Sequence, residues 1–440
     1  MSDPSTSEQP AADSPQPERA VTGTGRAGRP TIRTALRRRR PVRRALIVVH
    51  RWTSLVLGLV LVVLTTSGAV LLYEPDYFRA THDSFFRHTE SAHPLTADQA
   101  IQVVQAAHPH FAAAWANADH GIWEVGDADY STAWGVDAGS GAITGFTHLH
   151  GGTFGLLANL HECALGCEGY PGYVAVLAKP VPTLGMSWLD GLNWGGATLA
   201  LLGLVLLLLA VSGLIVWWPG IRRLSHGFRI RMRRGRFARD YDLHRVIGAV
   251  AVPFLLMWGL TGAGFEIPAV QKAWLAVTGG SAPDASQYDF TAAPAKKGAA
   301  LVTVAQASAA AVGKVPGSVV QVAMPTPDAG YYGITIARSY DPYAYEMFRG
   351  DGYVMVDAHN AAHLKVATGG PQPAANALYD RILEPAHFGW QVNGWWRIIW
   401  AVFGLAPLLL AFTGVSTWLV RRRTRKERAA RSAGLTTASA

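Results

Sequence analysis

Four histidines lie beside or within long apolar stretches, and their placement repeats along the chain. His50 opens "HRWTSLVLGLVLVVLTTSG" and His244 opens "HRVIGAVAVPFLLMWGLTG", each followed by an arginine. A small residue and a glycine end both matches, with Gly68 and Gly262 each 18 residues after the histidine. An ionisable side chain at a membrane span is costly and is a functional-site candidate. The repetition therefore predicts a site that takes one histidine from each stretch.

The chemistry open to such a pair is axial ligation of b-type haem, because haem iron takes one imidazole on each face. His161 in "NLHECALG" and His387 in "EPAHFGWQVNGWW" precede two later spans and form a second candidate pair. His148 and His150 lie close to His161 and remain alternatives to it. A lone histidine would instead hydrogen-bond among lipid headgroups. Small residues leave room for a flat macrocycle, and eight glycines are placed for this: Gly58, Gly68, Gly203, Gly213, Gly248, Gly262, Gly404 and Gly414.

Four apolar stretches must position these histidines. Half of the 440 residues are hydrophobic and only 16% are charged, whereas about 25% are charged in typical soluble domains. The stretches that reach the roughly 20 apolar residues needed to cross a bilayer are 45–73, 191–218, 244–267 and 397–420. The first is no cleaved signal peptide, because it follows an Arg-rich tail and is longer than a signal core.

Basic residues are concentrated on one predicted side of the membrane. The tail 1–44 holds ten Arg, the loop 219–243 holds eight, and the tail 421–440 is also basic. Because basic flanks stay in the cytosol, we expect a multi-pass plasma-membrane protein with both termini cytosolic. Segments 74–190 and 268–396 are then extracytoplasmic. The basic runs suit contact with membrane lipid, and nothing in them predicts nucleic-acid binding.

The chain has the pattern of a duplicated span–outer domain–span unit. The second span of each half matches at an offset of 201 residues, as in Gly213 and Gly414. Segments 74–190 and 268–396 each contain a helical pattern followed by alternating strands. We predict an α-helical membrane protein with four transmembrane helices, two small α+β extracytoplasmic domains and a disordered, basic cytosolic tail at 1–44.

The two cysteines, Cys163 and Cys167, both lie in the first outer segment. An oxidising compartment permits a disulfide there, and the close spacing makes one possible without requiring it. A catalytic thiol pair would need a redox-domain context that the surrounding sequence does not contain.

The combined motifs resemble the PepSY-associated transmembrane family over residues 44–424. The motifs are "HRW…TSG", "LHxxxLG", "SGLIVWWPG", "DLHRVIGA…TG" and "HFG…W…GLAPLLLAFTG". The family is also described as iron-regulated membrane proteins and includes ferrisiderophore reductases. The resemblance implies PepSY-like outer domains and two haem b groups. It selects His50, His161, His244 and His387 as the axial ligands of the haem iron.

The two halves do not match at one predicted site residue, the outer haem ligand of the first half. His387 lies 27 residues before Gly414, and the residue 27 before Gly213 is Met186. An insertion separates His161 from the second span, so either His161 folds back to the haem or Met186 ligates instead. Met/His ligation also exists.

The resemblance implies reduction of ferric iron in a siderophore or other chelate outside the membrane, which makes this a ferric-chelate reductase-type oxidoreductase. If pairing follows membrane depth, His50 with His244 holds an inner haem and His161 with His387 an outer one. No catalytic side chain is assigned. The electron donor is a quinol or a separate reductase, because no nucleotide or flavin motif has its required context. The rival hypothesis is a non-enzymatic, membrane-anchored PepSY binding or sensory module that regulates peptidases.

Overall fold

The structure, a computed structural model, describes most of the chain. The described residues are 32–284, 286–294, 299–346, 348–391 and 394–437, with side chains from residue 41 to 431. Contacts divide the chain between Ala45 and Leu46, and residues Leu46–Ala440 form one compact unit. Most of the tail predicted to be disordered, residues 1–31, lies outside the described residues.

The helices of the described chain, in order, are α1 Ile32–Leu71, α2 Glu74–Thr81, α3 Ala97–Ala107, α4 Gly152–Cys163, α5 Trp194–Trp217, α6 Leu224–Gly227, α7 Arg236–Glu266, α8 Pro268–Thr278, α9 Val304–Val312, α10 Ala374–Leu378, α11 Glu384–Phe388, α12 Gly394–Gly404 and α13 Ala406–Thr437. The strands are β1 Trp115–Asp119, β2 Ile122–Gly126, β3 Thr132–Asp137, β4 Ile143–His148, β5 Ser318–Ala323, β6 Tyr331–Ala337, β7 Gly352–Asp357 and β8 Asn360–Thr368. Short turns of 3₁₀ helix lie at Ser187–Leu189 and Ile221–Arg223, and a π-helical turn at Tyr379–Leu383.

Four helical segments are long and apolar enough to cross a membrane: Pro41–Leu71, Trp194–Trp217, Arg236–Glu266 and Gly394–Arg431. The last is interrupted at Leu405, because Pro407 has no N–H to continue the helical hydrogen bonds. The third begins at Arg236, about two turns before the predicted start at residue 244, and buried Asp242 in these turns accepts hydrogen bonds from Arg231. The helices α5 and α7 lie so close that a Cβ at Gly203 would be 2.7 Å from the backbone nitrogen of Ala263.

The strands of both predicted outer domains form one sheet. Its order is β4-β3-β2-β1-β5-β6-β7-β8, and every pairing is antiparallel. The halves join where β1 pairs with β5, with Trp115 opposite Ala323 and Asn117 opposite Gln321. The expectation of a separate small sheet in each half is thus replaced by one eight-stranded sheet. Pairing β1 with β5 covers two edges that would otherwise be open to other chains.

Helices α3 and α9 cover one face of this sheet. Both begin with the same capping box, formed by Thr96 with Gln99 and by Thr303 with Gln306. Their apolar faces form one core with strands of both halves. On the opposite face, Asp119 of β1 forms an ion pair with Arg79 of α2, the short helix that follows α1. The sheet therefore covers one end of the four spans, which we call the sheet side; the end with residues 218–235 is the loop side.

Candidate functional site

The four predicted histidines form two pairs. His50 on α1 and His244 on α7 have ring centres 6.4 Å apart, with ring planes at 90°. His161 on α4 and His387 on α11 have ring centres 6.2 Å apart, with planes at 55°. The first is the loop-side pair and the second the sheet-side pair. This is the grouping expected from depth in the membrane.

Both loop-side histidines use Nδ1 as a hydrogen-bond donor. His50 Nδ1 lies 2.9 Å from Ser212 Oγ, and that hydroxyl donates its own proton to the carbonyl of Leu209. His244 Nδ1 lies 3.1 Å from the carbonyl oxygen of Leu410. A carbonyl oxygen only accepts, and a hydroxyl that has donated its proton also accepts. Nδ1 therefore carries the ring proton and Nε2 keeps its lone pair.

The sheet-side histidines have the same tautomer. His161 Nδ1 donates to the carbonyl of Leu64 at 2.8 Å. His387 Nδ1 lies 2.6 Å from Thr261 Oγ1, which donates to the carbonyl of Met257. Throughout the described chain, no hydrogen bond involves Nε2 of these four histidines. A ring held by an acceptor at Nδ1, with Nε2 free, is the usual arrangement of a metal-ligating histidine.

A hydroxyl residue followed by glycine lies against each of the four rings. The dipeptides are Ser67-Gly68 at His161, Ser212-Gly213 at His50, Thr261-Gly262 at His387 and Thr413-Gly414 at His244. A Cβ at Gly68 would be 2.4 Å from the His161 ring, and at the other three glycines 3.2 to 3.4 Å from the facing ring. These glycines make room for imidazoles, whereas the sequence had suggested room for the macrocycle. Gly58, also in the earlier set, has no such neighbour within 4 Å.

The ring separations fit one metal ion between each pair. Two imidazole nitrogens each about 2 Å from a shared ion, and about 1.1 Å from their own ring centres, would put those centres roughly 6.3 Å apart. Within the described ranges, no group of three or more His, Cys, Asp or Glu could hold a metal ion by itself. The remaining ligands would have to come from a cofactor, as the ring nitrogens of haem provide.

Burial keeps the sheet-side pair neutral. It lowers the pKa of His161, and together with the neighbouring His161 it lowers the pKa of His387 to about 3. A histidine must be neutral to ligate a metal, so both rings are in the required state at physiological pH.

A cavity of about 520 Å³ contains the sheet-side pair. Residues of the helix bundle line it, including Leu61, Leu202 and Trp258. Gly203 and Gly404, both in the predicted set, also line it. The volume lies in the usual range of about 300–1,000 Å³ for cofactor sites. The lining is mostly apolar, with four glutamates, and together with the facing imidazoles it fits a haem.

The two arginines beside the loop-side pair differ in their contacts. The sequence suggested that Arg51 and Arg245 could meet haem propionates. Arg245 donates to the carbonyl of Gly227 and forms an ion pair with Asp242. Arg51 Nε is buried without a hydrogen-bond partner among the described residues. Of the two arginines, Arg51 therefore has an N–H group that is available to a haem propionate.

The alternatives to His161 lie elsewhere. Met186 has 38% of its surface exposed and does not line the cavity. His150 lines the cavity but stacks on Tyr170, with ring centres 3.9 Å apart. His148 is exposed at the end of β4. Only His161 of this set lies opposite His387.

The structure around α4 explains how His161 folds back. Cys163 and Cys167 form the disulfide that the sequence permitted. Ala164 and Leu165 end the helix with φ values of 47° and 68°. Buried Asn159 donates to the carbonyl of Pro171 and accepts from the Cys167 N–H. The inserted segment thus turns sharply and leaves His161 against α1.

Comparison with known families agrees with this architecture. A family model described as PepSY-associated TM region matches residues 47–421. The chain belongs to the PepSY-associated transmembrane family. With the four apolar helices, this match shows a membrane protein. A search of curated proteins found no match.

Two groups of site residues escaped the sequence reasoning. Sequence reasoning did not assign the hydroxyls that orient the histidines, although a Ser/Thr-Gly dipeptide recurs at all four positions. Glu74, Glu162 and Glu346, which line the cavity, were missed. Segment 74–190 holds thirteen acidic residues and only three basic ones, a signal that could have pointed toward the first two, but Glu346 comes from the other half.

Proposed function

We propose that this protein binds a haem b at each histidine pair and reduces ferric iron held in a siderophore or other chelate on the sheet side. The observation that carries the proposal is the geometry of the pairs: facing imidazoles, Nδ1–H donated and Nε2 free, twice in one bundle. Bound haem would supply one-electron transfer. An iron held by both imidazoles of a pair would have no open position, which would suit electron transfer better than oxygen binding.

The spacing of the pairs supports a route across the membrane. Leu64, the acceptor for His161, lies 14 residues after His50 in α1, which is about 21 Å along a helix. A bilayer core of about 30 Å is too thick for one direct transfer, so two sites in series shorten each step. The chain's residues orient the imidazoles and exclude water around them.

The reaction on the sheet side is a one-electron reduction. Ferric iron in the chelate gains one electron and becomes ferrous iron, which the chelate holds weakly and releases. A quinol or a separate reductase supplies the electrons from the loop side. The basic loop and tails support placing that side in the cytosol, with both termini there and the protein in the plasma membrane.

The test is a visible spectrum of the detergent-purified protein, oxidised and dithionite-reduced, with haem counted as pyridine haemochrome. We expect sharp low-spin b-type bands and about two haems per chain. His50→Ala and His387→Ala should each lose about one haem, while His148→Ala, outside both pairs, keeps two. A chain without haem after expression with ample haem supply would overturn the proposal and leave the PepSY binding or sensory module in first place.

A further inference from the structure

The segment inserted between His161 and the second span ends in a closed loop. Residues 181–192 begin and end beside each other, because the Val181 N–H donates to the carbonyl of Leu192 at 2.9 Å. The span α5 begins directly after Asn193. We therefore call residues 181–192 the entry loop.

The base of the entry loop is fastened to the first turn of α5. The Trp194 N–H donates to the carbonyl of Lys179 at 3.1 Å, and the Gly195 N–H donates to the carbonyl of Leu177 at 2.8 Å. The first N–H groups of a helix have no partner within that helix, so the inserted segment satisfies two of them. The base of the loop consequently lies where α5 enters the bilayer.

The tip of the entry loop is a tight turn with a leucine at its apex. The Met186 N–H donates to the carbonyl of Thr183 at 2.8 Å, and the two residues between them have positive φ, 49° at Leu184 and 78° at Gly185. Such turns favour glycine, asparagine or aspartate, because a bulky side chain is strained at positive φ. Leu184 is nevertheless 82% exposed. Neither the backbone nor water favours a leucine here, which indicates an apolar environment around the tip.

Two more large apolar side chains are exposed beside the apex. They are Met186 and Trp188, whereas Leu189 and Leu192 are buried and stabilise the loop. Asp190 is the one charged residue in the loop sequence. Apolar and aromatic side chains of this kind, without lysine or arginine, fit the boundary between lipid headgroups and acyl chains.

Tryptophans at the start of two spans mark the same boundary. Trp194 begins α5 and is exposed. Trp395 and Trp396 are exposed at the start of the fourth span. Tryptophan is enriched where a span meets the membrane–water interface. Trp188, in the loop fastened to Trp194, extends this group of indoles away from the helix.

We infer that the tip of the entry loop inserts into the headgroup–acyl boundary of the sheet-side leaflet and anchors the inserted segment to lipid. The anchor reaches the end of α4. The Val174 N–H donates to the carbonyl of Leu165 at 2.8 Å, and a Cβ at Gly195 would be 2.3 Å from the carbonyl oxygen of Cys163. The lipid contact thus helps to hold α4 beside α5. This inference goes beyond the proposed function and does not require haem.

Spin labels on the full chain in lipid nanodiscs test the inference. A single cysteine replaces Leu184 or Trp188, and the native cysteines do not take the label because they form a disulfide. The accessibility of each label to oxygen, which concentrates among acyl chains, is compared with its accessibility to a water-soluble nickel chelate. We expect both labels to lie about 5–10 Å into the headgroup–acyl boundary.

Two reference sites and one background variant calibrate the result. Leu208→Cys, exposed near the middle of α5, should give the highest ratio of oxygen to nickel accessibility. Gln105→Cys, exposed on α3 across the sheet from α2, should give the lowest. A label at Met186→Cys should lie in the lipid and move to the aqueous value when Leu184→Ser and Trp188→Ser are added.

Three results would overturn the inference. A ratio at the tip equal to that of Gln105→Cys would place the loop in water. Exclusion of both reagents would show that protein covers the tip, either this chain or a second copy. A Met186→Cys label that keeps its depth in the double-serine background would show that the apolar tip does not anchor the loop.

Discussion

The two histidine pairs use the same side chains but different supports. The loop-side histidines lie on the membrane-spanning helices α1 and α7, separated by the 194 residues of the repeat. The sheet-side histidines lie on the short helices α4 and α11, which precede spans, and are 226 residues apart. A ligand on a membrane-spanning helix is positioned by its place along that helix. A ligand on a short helix needs additional anchors.

Those anchors differ between the halves. In the first half, the disulfide and Asn159 hold α4. In the second, Trp258 and Trp400 donate indole N–H groups to the carbonyls of His387 and Ala386. The spans on the loop side and these anchors on the sheet side thus produce ring separations of nearly the same size. The distance between the two imidazoles is therefore nearly the same in both pairs, whereas the contacts that fix this distance differ.

The largest expected effect comes from Gly68→Ala, which should disrupt only the sheet-side pair. The new methyl group would be 2.4 Å from His161 Cε1, so the ring must leave its position opposite His387. Haem content should fall by about one per chain with the loop-side spectrum retained. Gly58→Ala on the same helix meets no neighbour within 4 Å and should keep both haems. Two haems in Gly68→Ala would contradict the assignment of His161.

A smaller difference should separate Thr261→Val from Thr413→Val. Among the described residues, Thr261 is the hydrogen-bond acceptor for His387 Nδ1. When Thr413 is replaced, by contrast, His244 Nδ1 can still donate to the carbonyl oxygen of Leu410. Loss of such a supporting contact typically weakens metal binding about 10–100-fold. Haem transfer to an excess of a haem-scavenging apoprotein should therefore be much faster for Thr261→Val. Equal rates in the two variants would show that these hydroxyls do not control the ligands.

Removal of the disulfide should affect the sheet side alone. Cross-linking a loop of about five residues contributes about 2 kcal/mol in the chain-entropy estimate. Cys163→Ser with Cys167→Ser should lower the thermal midpoint by a few degrees and speed loss of the sheet-side haem. A reductant should reproduce this in the wild type and have no effect on the double variant. Loss of the loop-side haem instead would show that the two supports are not independent.

The smallest expected effect on haem retention comes from Glu124 of the sheet, which gives stability a pH dependence. Glu124 is fully buried in β2, accepts a hydrogen bond from Asn117, and burial raises its pKa to about 8 from 4.5. Because the folded pKa is the higher one, stability falls as pH rises between these values. Glu124→Gln should raise the thermal midpoint at about pH 8.5 and give no gain at about pH 4.5. A gain that is equal at both pH values would exclude ionisation as its cause.

Features encoded locally could be predicted from the sequence. Apolar length indicated the four spans, repetition indicated His50 and His244, and the resemblance selected His161 and His387. Long-range contacts could not be predicted in this way. The β1–β5 pairing joins residues about 200 positions apart, and alternation within a strand does not specify its partner. The lining of the sheet-side cavity likewise combines Glu74 and Glu346 from opposite halves.

The pairing of β1 with β5 has a consequence for how the two halves of the chain associate. β1 and β5 occupy equivalent places in the two halves and pair antiparallel with each other, which is the self-complementary contact of an isologous dimer. The chain therefore resembles a dimer whose two subunits are joined covalently. Its halves contact each other where β1 pairs with β5 and where α5 packs against α7. A cut in the basic loop would leave two fragments that can still associate through both surfaces.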